Sequence, residues 1–202
     1  MIFDFGGVIW NMRWDVCRAL ETTHRLPEGS IFATLYRCPA WQEVERGRGD
    51  REAWRAGARA ALEAEAGRGL PPLHDEWRAA QAPIAENLAL IRGLRPPYRL
   101  GVLSNADLTL RSRLSAIPGA PDLFDDIVCS AEVGLAKPEP AIYALACRRL
   151  GVAPEETVFV DDAPVNVEAA QGAGLGGVLH RVDRGDDLRA QLAALGIVAR
   201  PA

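Results

Sequence analysis

The sequence predicts an α/β protein: a doubly wound parallel sheet that carries a small helical insertion after its first strand. Three observations lead to that expectation. Five short apolar runs, rich in β-branched residues, end in small or acidic residues. Runs that do not alternate in polarity suit strands buried on both faces. Helical patterns separate most of these runs, and strands alternating with helices imply a parallel sheet. One long stretch between the first and second runs breaks the rhythm, with helical periodicity and no convincing strand.

In chain order, Met1–Phe5 is the first strand. The insertion comes next, with helix-like segments at Val16–Leu20, Ile31–Tyr36, Asp50–Ala66 and Pro72–Ala80. It holds four of the five tryptophans: Trp14, Trp41, Trp54 and Trp77. Trp54 stands at helical spacing from Ala58 and Leu62, so it is expected to fill the insertion's own core. For Trp14, Trp41, Arg13, Arg46 and Arg48, packing or solvation and a place facing a site remain open alternatives. The expected division is a core of residues 1–12 and 83–202 and an insertion of residues 13–82. The core resumes with a helix whose face is Ile84, Leu88 and Ile91, with Pro83 suited to its first turn and Pro96-Pro97 as its stop. Leu100–Leu103 and Asp126–Cys129 are the next strands. Ile142, Leu145 and Ala146 then share a helical face after Pro140, with Gly151 where a left-handed cap is wanted. Thr157–Val160 is the fourth strand. A stripe of Val165, Ala169 and Ala173, closed by Gly174, precedes the last, Gly177–Leu179.

Composition excludes several classes of function. The 202 residues are 49% apolar and 25% charged, which is ordinary for a folded globular chain. A formal charge of −4 argues against nucleic-acid binding. No apolar run approaches the ~18 residues that cross a bilayer, and Asp4 interrupts the opening run, which does not read as a signal peptide. Cys17, Cys38, Cys129 and Cys147 show no metal-ligand spacing and read as thiols in a reducing compartment. The expected location is cytoplasmic. Of the 23 basic residues, Lys137 is the only lysine and the other 22 are arginine.

Four clusters sit at or just beyond expected strand ends, where open α/β sheets bind ligands. In Ile2-Phe3-Asp4-Phe5-Gly6-Gly7-Val8, an acid at the tip of a buried strand needs a cation or hydrogen bonds, and the glycines let the backbone approach a ligand. A turn cap is the plainer reading. In Leu103-Ser104-Asn105-Ala106-Asp107, hydroxyl and amide are good donors to phosphoryl oxygens, or an ordinary helix cap. In Gly134-Leu135-Ala136-Lys137-Pro138-Glu139-Pro140, a lysine persists where arginine is used elsewhere. A compact ammonium fits beside both carboxylate and phosphate where a planar fork does not; chance is the alternative. In Val160-Asp161-Asp162-Ala163-Pro164-Val165-Asn166, two adjacent acids repel unless a hard cation takes their oxygens or one of them caps the next helix.

In this order the clusters resemble the haloacid dehalogenase-like hydrolase superfamily, over Met1–Trp10 and roughly Pro83–Leu179. Phe124–Ser130, Glu132, Gly134 and Lys137-Pro138-Glu139-Pro140 resemble the superfamily's approach to its lysine, and Asp161 to Ala170 its fourth motif. The insertion sits where that superfamily places a small helical cap, and Glu45 with Gly47 resembles a recurring cap phrase. The resemblance implies a Rossmann-like core and a Mg²⁺-dependent phosphohydrolase acting on a small, sugar-phosphate-like substrate. Asp4 would form an aspartyl-phosphate, with Ser104 and Lys137 also catalytic; Ser104, Asn105 and Lys137 would bind phosphate. Asp4, the Gly6 carbonyl, Asp161 and Asp162 would hold the metal.

Gly6 departs from the pattern: phosphatases of the superfamily usually carry a second Asp there, to protonate the leaving group and then activate water. Its loss is expected to favour leaving groups that need little protonation, such as anomeric sugar, acyl or aryl phosphates. Two rivals keep the fold. A dehalogenase-type hydrolase also lacks the second acid but needs no metal, so Asp161-Asp162 speaks against it. A catalytically idle binding or regulatory protein is favoured by the loss at Gly6 and opposed by Asp4, Ser104, Lys137 and the acidic pair.

Overall fold

The computed structural model describes residues 1–200. Strand β1 (Ile2–Phe3) is followed by a short strand β2 (Trp10–Asn11) and five helices: α1 (Trp14–Thr23), α2 (Ser30–Tyr36), α3 (Pro39–Val44), α4 (Arg51–Ala66) and α5 (Leu73–Ala80). Strand β3 (Ala82–Pro83) ends this excursion. The chain continues through α6 (Ala85–Gly93), β4 (Gly101–Ser104), α7 (Leu110–Ser115), β5 (Asp126–Cys129), α8 (Ser130–Val133) and α9 (Pro140–Leu150). Then come β6 (Val158–Asp161), α10 (Pro164–Gly172), β7 (Gly176–Leu179) and α11 (Leu188–Ala193).

Five strands form one parallel sheet in the order β5-β4-β1-β6-β7. β1 lies at its centre, with Ile2 level with Gly101 on one side and Phe159 on the other. That position explains its apolar run: Ile2 and Phe3 face opposite sides of the sheet and both are buried. One face packs Phe3, Val102 and Val160 against Ile91, Leu110, Leu114, Leu188 and Leu192 of α6, α7 and α11. The other packs Ile2, Leu103 and Phe159 against Ile142, Tyr143, Ala146 and Ala170 of α9 and α10. The carboxyl ends of all five strands therefore point to the same edge.

The helical insertion has its own core, including Ile31, Leu35, Trp41, Trp54, Leu62, Leu73 and Trp77. Trp54 and Trp77 are packing residues whose polar edges are satisfied. Trp54 Nε1 donates to the Leu35 carbonyl at 2.6 Å, and Trp77 Nε1 donates to that of Met12 at 2.6 Å. The insertion joins the core through a two-stranded antiparallel ribbon in which Trp10 faces Pro83 and Asn11 faces Ala82.

Two local expectations need correction. Pro83 lies in that ribbon, and α6 begins two residues later. The buried stripe of α10 is Val167 and Ala170; Val165 is 56% exposed, while Ala169 and Ala173 are only partly buried. No helix among the described residues is long and apolar enough to cross a membrane, and the four cysteines are free thiols.

Candidate active site

Asp4 follows β1 directly, held by its backbone N–H donating to Val160 O at 2.8 Å. Its carboxylate accepts from the Phe5 N–H at 2.7 Å through Oδ1. Ser104, the last residue of the neighbouring β4, places its hydroxyl beside that carboxylate. Asp161 ends β6, the strand on the other side. Lys137 comes from the loop ahead of α9. Its Nζ lies 2.5 Å from Asp161 Oδ2 and 3.0 Å from Asp4 Oδ1, with the side chain 1% exposed. Adjacent strands of one parallel sheet thus carry residues far apart in sequence to a single point.

The acidic pair is split in role. Asp161 is fully buried and accepts three further hydrogen bonds: one from the Ala163 N–H at 2.8 Å, and one to each oxygen from Asn166 Nδ2 at 3.1 Å. Asp162 has no such set of donors among the described residues. One oxygen from each of Asp4, Asp161 and Asp162 falls within 4.8 Å of the others. Burial, opposed by Lys137, raises Asp4 to about 6. Burial and then the charges of Asp4 and Asp161 push Asp162 well above the usual carboxylate range. Burial lowers the Lys137 ammonium, but Asp161 and Asp4 outweigh it and leave lysine above its ordinary value. Three carboxylates around one ammonium are short of positive charge, and three convergent hard oxygens suit a small divalent cation. Asp4, Asp161 and Asp162, with the Gly6 carbonyl, are the residues that would hold it.

A family model described as haloacid dehalogenase-like hydrolase matches residues 1–174. The chain belongs to this family. A sesquiterpene phosphatase of Aspergillus oryzae is 28% identical over 90% of this chain and 89% of its own length. A Bacteroides thetaiotaomicron enzyme of the same fold, solved with magnesium and inorganic phosphate, superposes with a TM-score of 0.70 at 24% identity, covering 94% of this chain and 96% of that one. L-2-haloacid dehalogenase from Xanthobacter autotrophicus gives 0.62 at 24% identity, over 87% of this chain and 74% of that one. At that identity the two structures speak to fold.

Within this hydrolase, Asp4, Ser104, Lys137, Asp161 and Asp162 come together as the sequence suggests. Asn105 lies beside them, and its amide bonds the Lys137 peptide: Oδ1 accepts from the Lys137 N–H at 2.8 Å, and Nδ2 donates one hydrogen to the Lys137 carbonyl at 2.9 Å. It clamps the peptide that carries the lysine. Asn166 and Asp107 also matter; both lie in the clusters marked in the sequence, though without a role assigned there. Asn166 orients Asp161, and Asp107 accepts from Arg51 Nε of the insertion at 2.8 Å. A second ion pair, Arg46 with Glu139, ties the insertion to the loop after Lys137. Arg13 and Arg48 spend their charges locally, on Asp15 and Glu43.

Gly7 has a strict steric role. Its φ is +76°, and a Cβ there would stand 2.2 Å from Asp162 Oδ2. Gly7→Ala is therefore expected to displace Asp162, weaken magnesium binding at least about tenfold, and cost about 1–3 kcal/mol of stability. Magnesium titration and a thermal melt test this; an unchanged half-saturation would show that Asp162 is not a ligand.

Proposed function

We propose that this chain is a magnesium-dependent phosphomonoesterase acting on a small phosphorylated metabolite through an aspartyl-phosphate on Asp4. The observation that carries the reading is the meeting of a buried nucleophile, a lysine and two further carboxylates at one strand edge. The phosphatase among its relatives supports it. Asp4 attacks phosphorus in line with the leaving oxygen, and water later attacks the acyl phosphate. Ser104 donates to a phosphoryl oxygen, and Lys137 offsets charge gathering on the equatorial oxygens. Asn105 and Asn166 hold Lys137 and Asp161 in place. Magnesium, when bound, supplies charge neutralisation between carboxylate and phosphate. The insertion acts as the cap, tied down by Arg51–Asp107 and Arg46–Glu139, and excludes water.

The leaving group must depart without an acid at position 6. A Cβ there would meet only Met12, Sδ at 3.4 Å and Cγ at 3.9 Å, so Gly6→Asp is sterically admissible. The wild type is expected to hydrolyse aryl and acyl phosphates faster than alkyl phosphates. Gly6→Asp should raise alkyl-ester turnover by about 10–10²-fold and narrow that gap. Equal wild-type rates across the leaving-group series would refute the role given to Gly6. Absence of magnesium-dependent release from every ester would refute the phosphatase.

Metal dependence carries a pH signature. With Asp4 raised to about 6, the folded state binds its proton more tightly than the unfolded chain does. In metal-free protein, ionising Asp4 thus removes stability as pH rises from the unfolded carboxylate value through about 6. Magnesium binds the ionised form and offsets that loss. The magnesium-induced rise in Tm should be larger at about pH 7.5 than at about pH 5, and an equal rise at both would contradict the site.

A further inference from the structure

Two guanidiniums between the insertion and the core lack a carboxylate partner among the described residues. Four arginines gather there: Arg51 and Arg55 of α4, Arg78 of α5 and Arg113 of α7. Arg51 is paired with Asp107 and Arg55 with Asp75. Among the described residues, Arg78 donates only to the neutral Tyr36 hydroxyl, at 2.7 Å. The Arg113 guanidinium makes no hydrogen bond or ion pair among the described residues. Its Cζ instead lies 4.6 Å from the centroid of the Phe5 ring and 4.9 Å from that of Trp10, two rings stacked on each other.

These charges feel one another. Burial first, and then the like charges of Arg78 and Arg51, hold Arg113 below its ordinary value, and the same causes lower Arg55. Cation–π contact partly compensates one such group; it does not cancel the repulsion of a second guanidinium. A planar guanidinium fork matches the oxygens of a carboxylate or phosphate. The place matters as much as the charge. Phe5 directly follows Asp4, and Asp107, which anchors Arg51, lies three residues beyond Ser104. The arginines are thus held by residues that continue the two strand ends carrying Asp4 and Ser104.

We propose that Arg113 and Arg78 form a subsite for a second anionic group of the substrate, a carboxylate or phosphate carried on the leaving group. The proposal rests on the phosphatase reading above and narrows its substrate class to phosphomonoesters with a further negative charge. Stacked on Phe5 and Trp10, Arg113 is held in orientation before the anion arrives, which reduces the entropy cost of binding.

The test compares phenyl phosphate, 3- and 4-carboxyphenyl phosphate and hydroquinone bisphosphate on the magnesium-loaded full chain. The wild type should favour at least one anionic ester about tenfold or more in kcat/KM. The carboxylate and bisphosphate arms identify which group is taken. Arg113→Met keeps the stacking volume and should lose most of that preference through KM; Arg78→Met should do likewise. Arg113→Lys should restore part of it, and Arg189→Met, at an exposed position on α11, should change neither ester. No wild-type preference, or an equal loss on phenyl and anionic esters in Arg113→Met, overturns the subsite. If the wild type hydrolyses none of the esters, the phosphatase reading falls, and calorimetry on Asp4→Asn decides the subsite separately. Binding of the anionic esters about tenfold weaker in Asp4→Asn/Arg113→Met than in Asp4→Asn supports it, and equal or absent binding overturns it.

Discussion

Asp4→Asn will abolish magnesium-dependent phosphate release, lowering kcat by about 10⁴-fold or more, while the protein stays folded. The substitution keeps the shape of the side chain and an oxygen that accepts from the Phe5 N–H, a contact of 2.7 Å in the native site. It removes the nucleophile, because an amide oxygen does not form the acyl phosphate. Folding tolerates the change. Asp4 is a buried carboxylate whose ionised form is disfavoured by burial, and Lys137 keeps its closer partner, Asp161, at 2.5 Å. Phosphate release and a thermal melt, measured side by side, check both halves. A variant that keeps more than about a tenth of wild-type turnover would mean that Asp4 is not the nucleophile.

Lys137→Met will damage stability and rate together. The methionine fills a similar volume, but it leaves Asp4 and Asp161 without the ammonium that touches both. Removing one partner of a buried ion pair costs about 3–5 kcal/mol, because the remaining charge is stranded. The loss should be largest in chelator and should shrink when magnesium is added, since a cation at Asp4, Asp161 and Asp162 supplies part of the missing charge. Turnover should fall about 10²–10³-fold even at saturating magnesium. Lys137→Arg should not restore it: the buried site holds a compact ammonium, and a guanidinium is larger and planar. Denaturant midpoints with and without magnesium measure the first effect. Identical midpoints for wild type and Lys137→Met in chelator would remove Lys137 from the charge balance.

The parallel core is legible in the sequence because its strands are buried on both faces and leave continuous apolar runs, and each chemical cluster is legible because it follows such a run. The rest is hidden for physical causes. The phase of α10 escapes the pattern because alanines at 163, 169, 170 and 173 carry little size information. Its true phase turns Val167 and Ala170 inward and Asn166 back toward Asp161. The ribbon strands β2 and β3 are two residues long, too short to show a period, and one contains proline. The clamp that Asn105 places on the Lys137 peptide is hidden because its partner lies 32 residues away. Arg113 gives no signal at all: in a chain that uses arginine almost everywhere, an unpaired one is visible only once its neighbours are placed.

The ribbon also bears on modularity. Asn11 and Ala82 stand side by side, so the chain leaves and re-enters the core at the width of a hairpin. Closure entropy grows only logarithmically with the length of the enclosed chain, and the five-stranded sheet takes its register from contacts outside that segment. Helices between these two anchor points can lengthen, shorten or be exchanged without shifting a strand of the sheet that carries Asp4, Ser104 and Asp161.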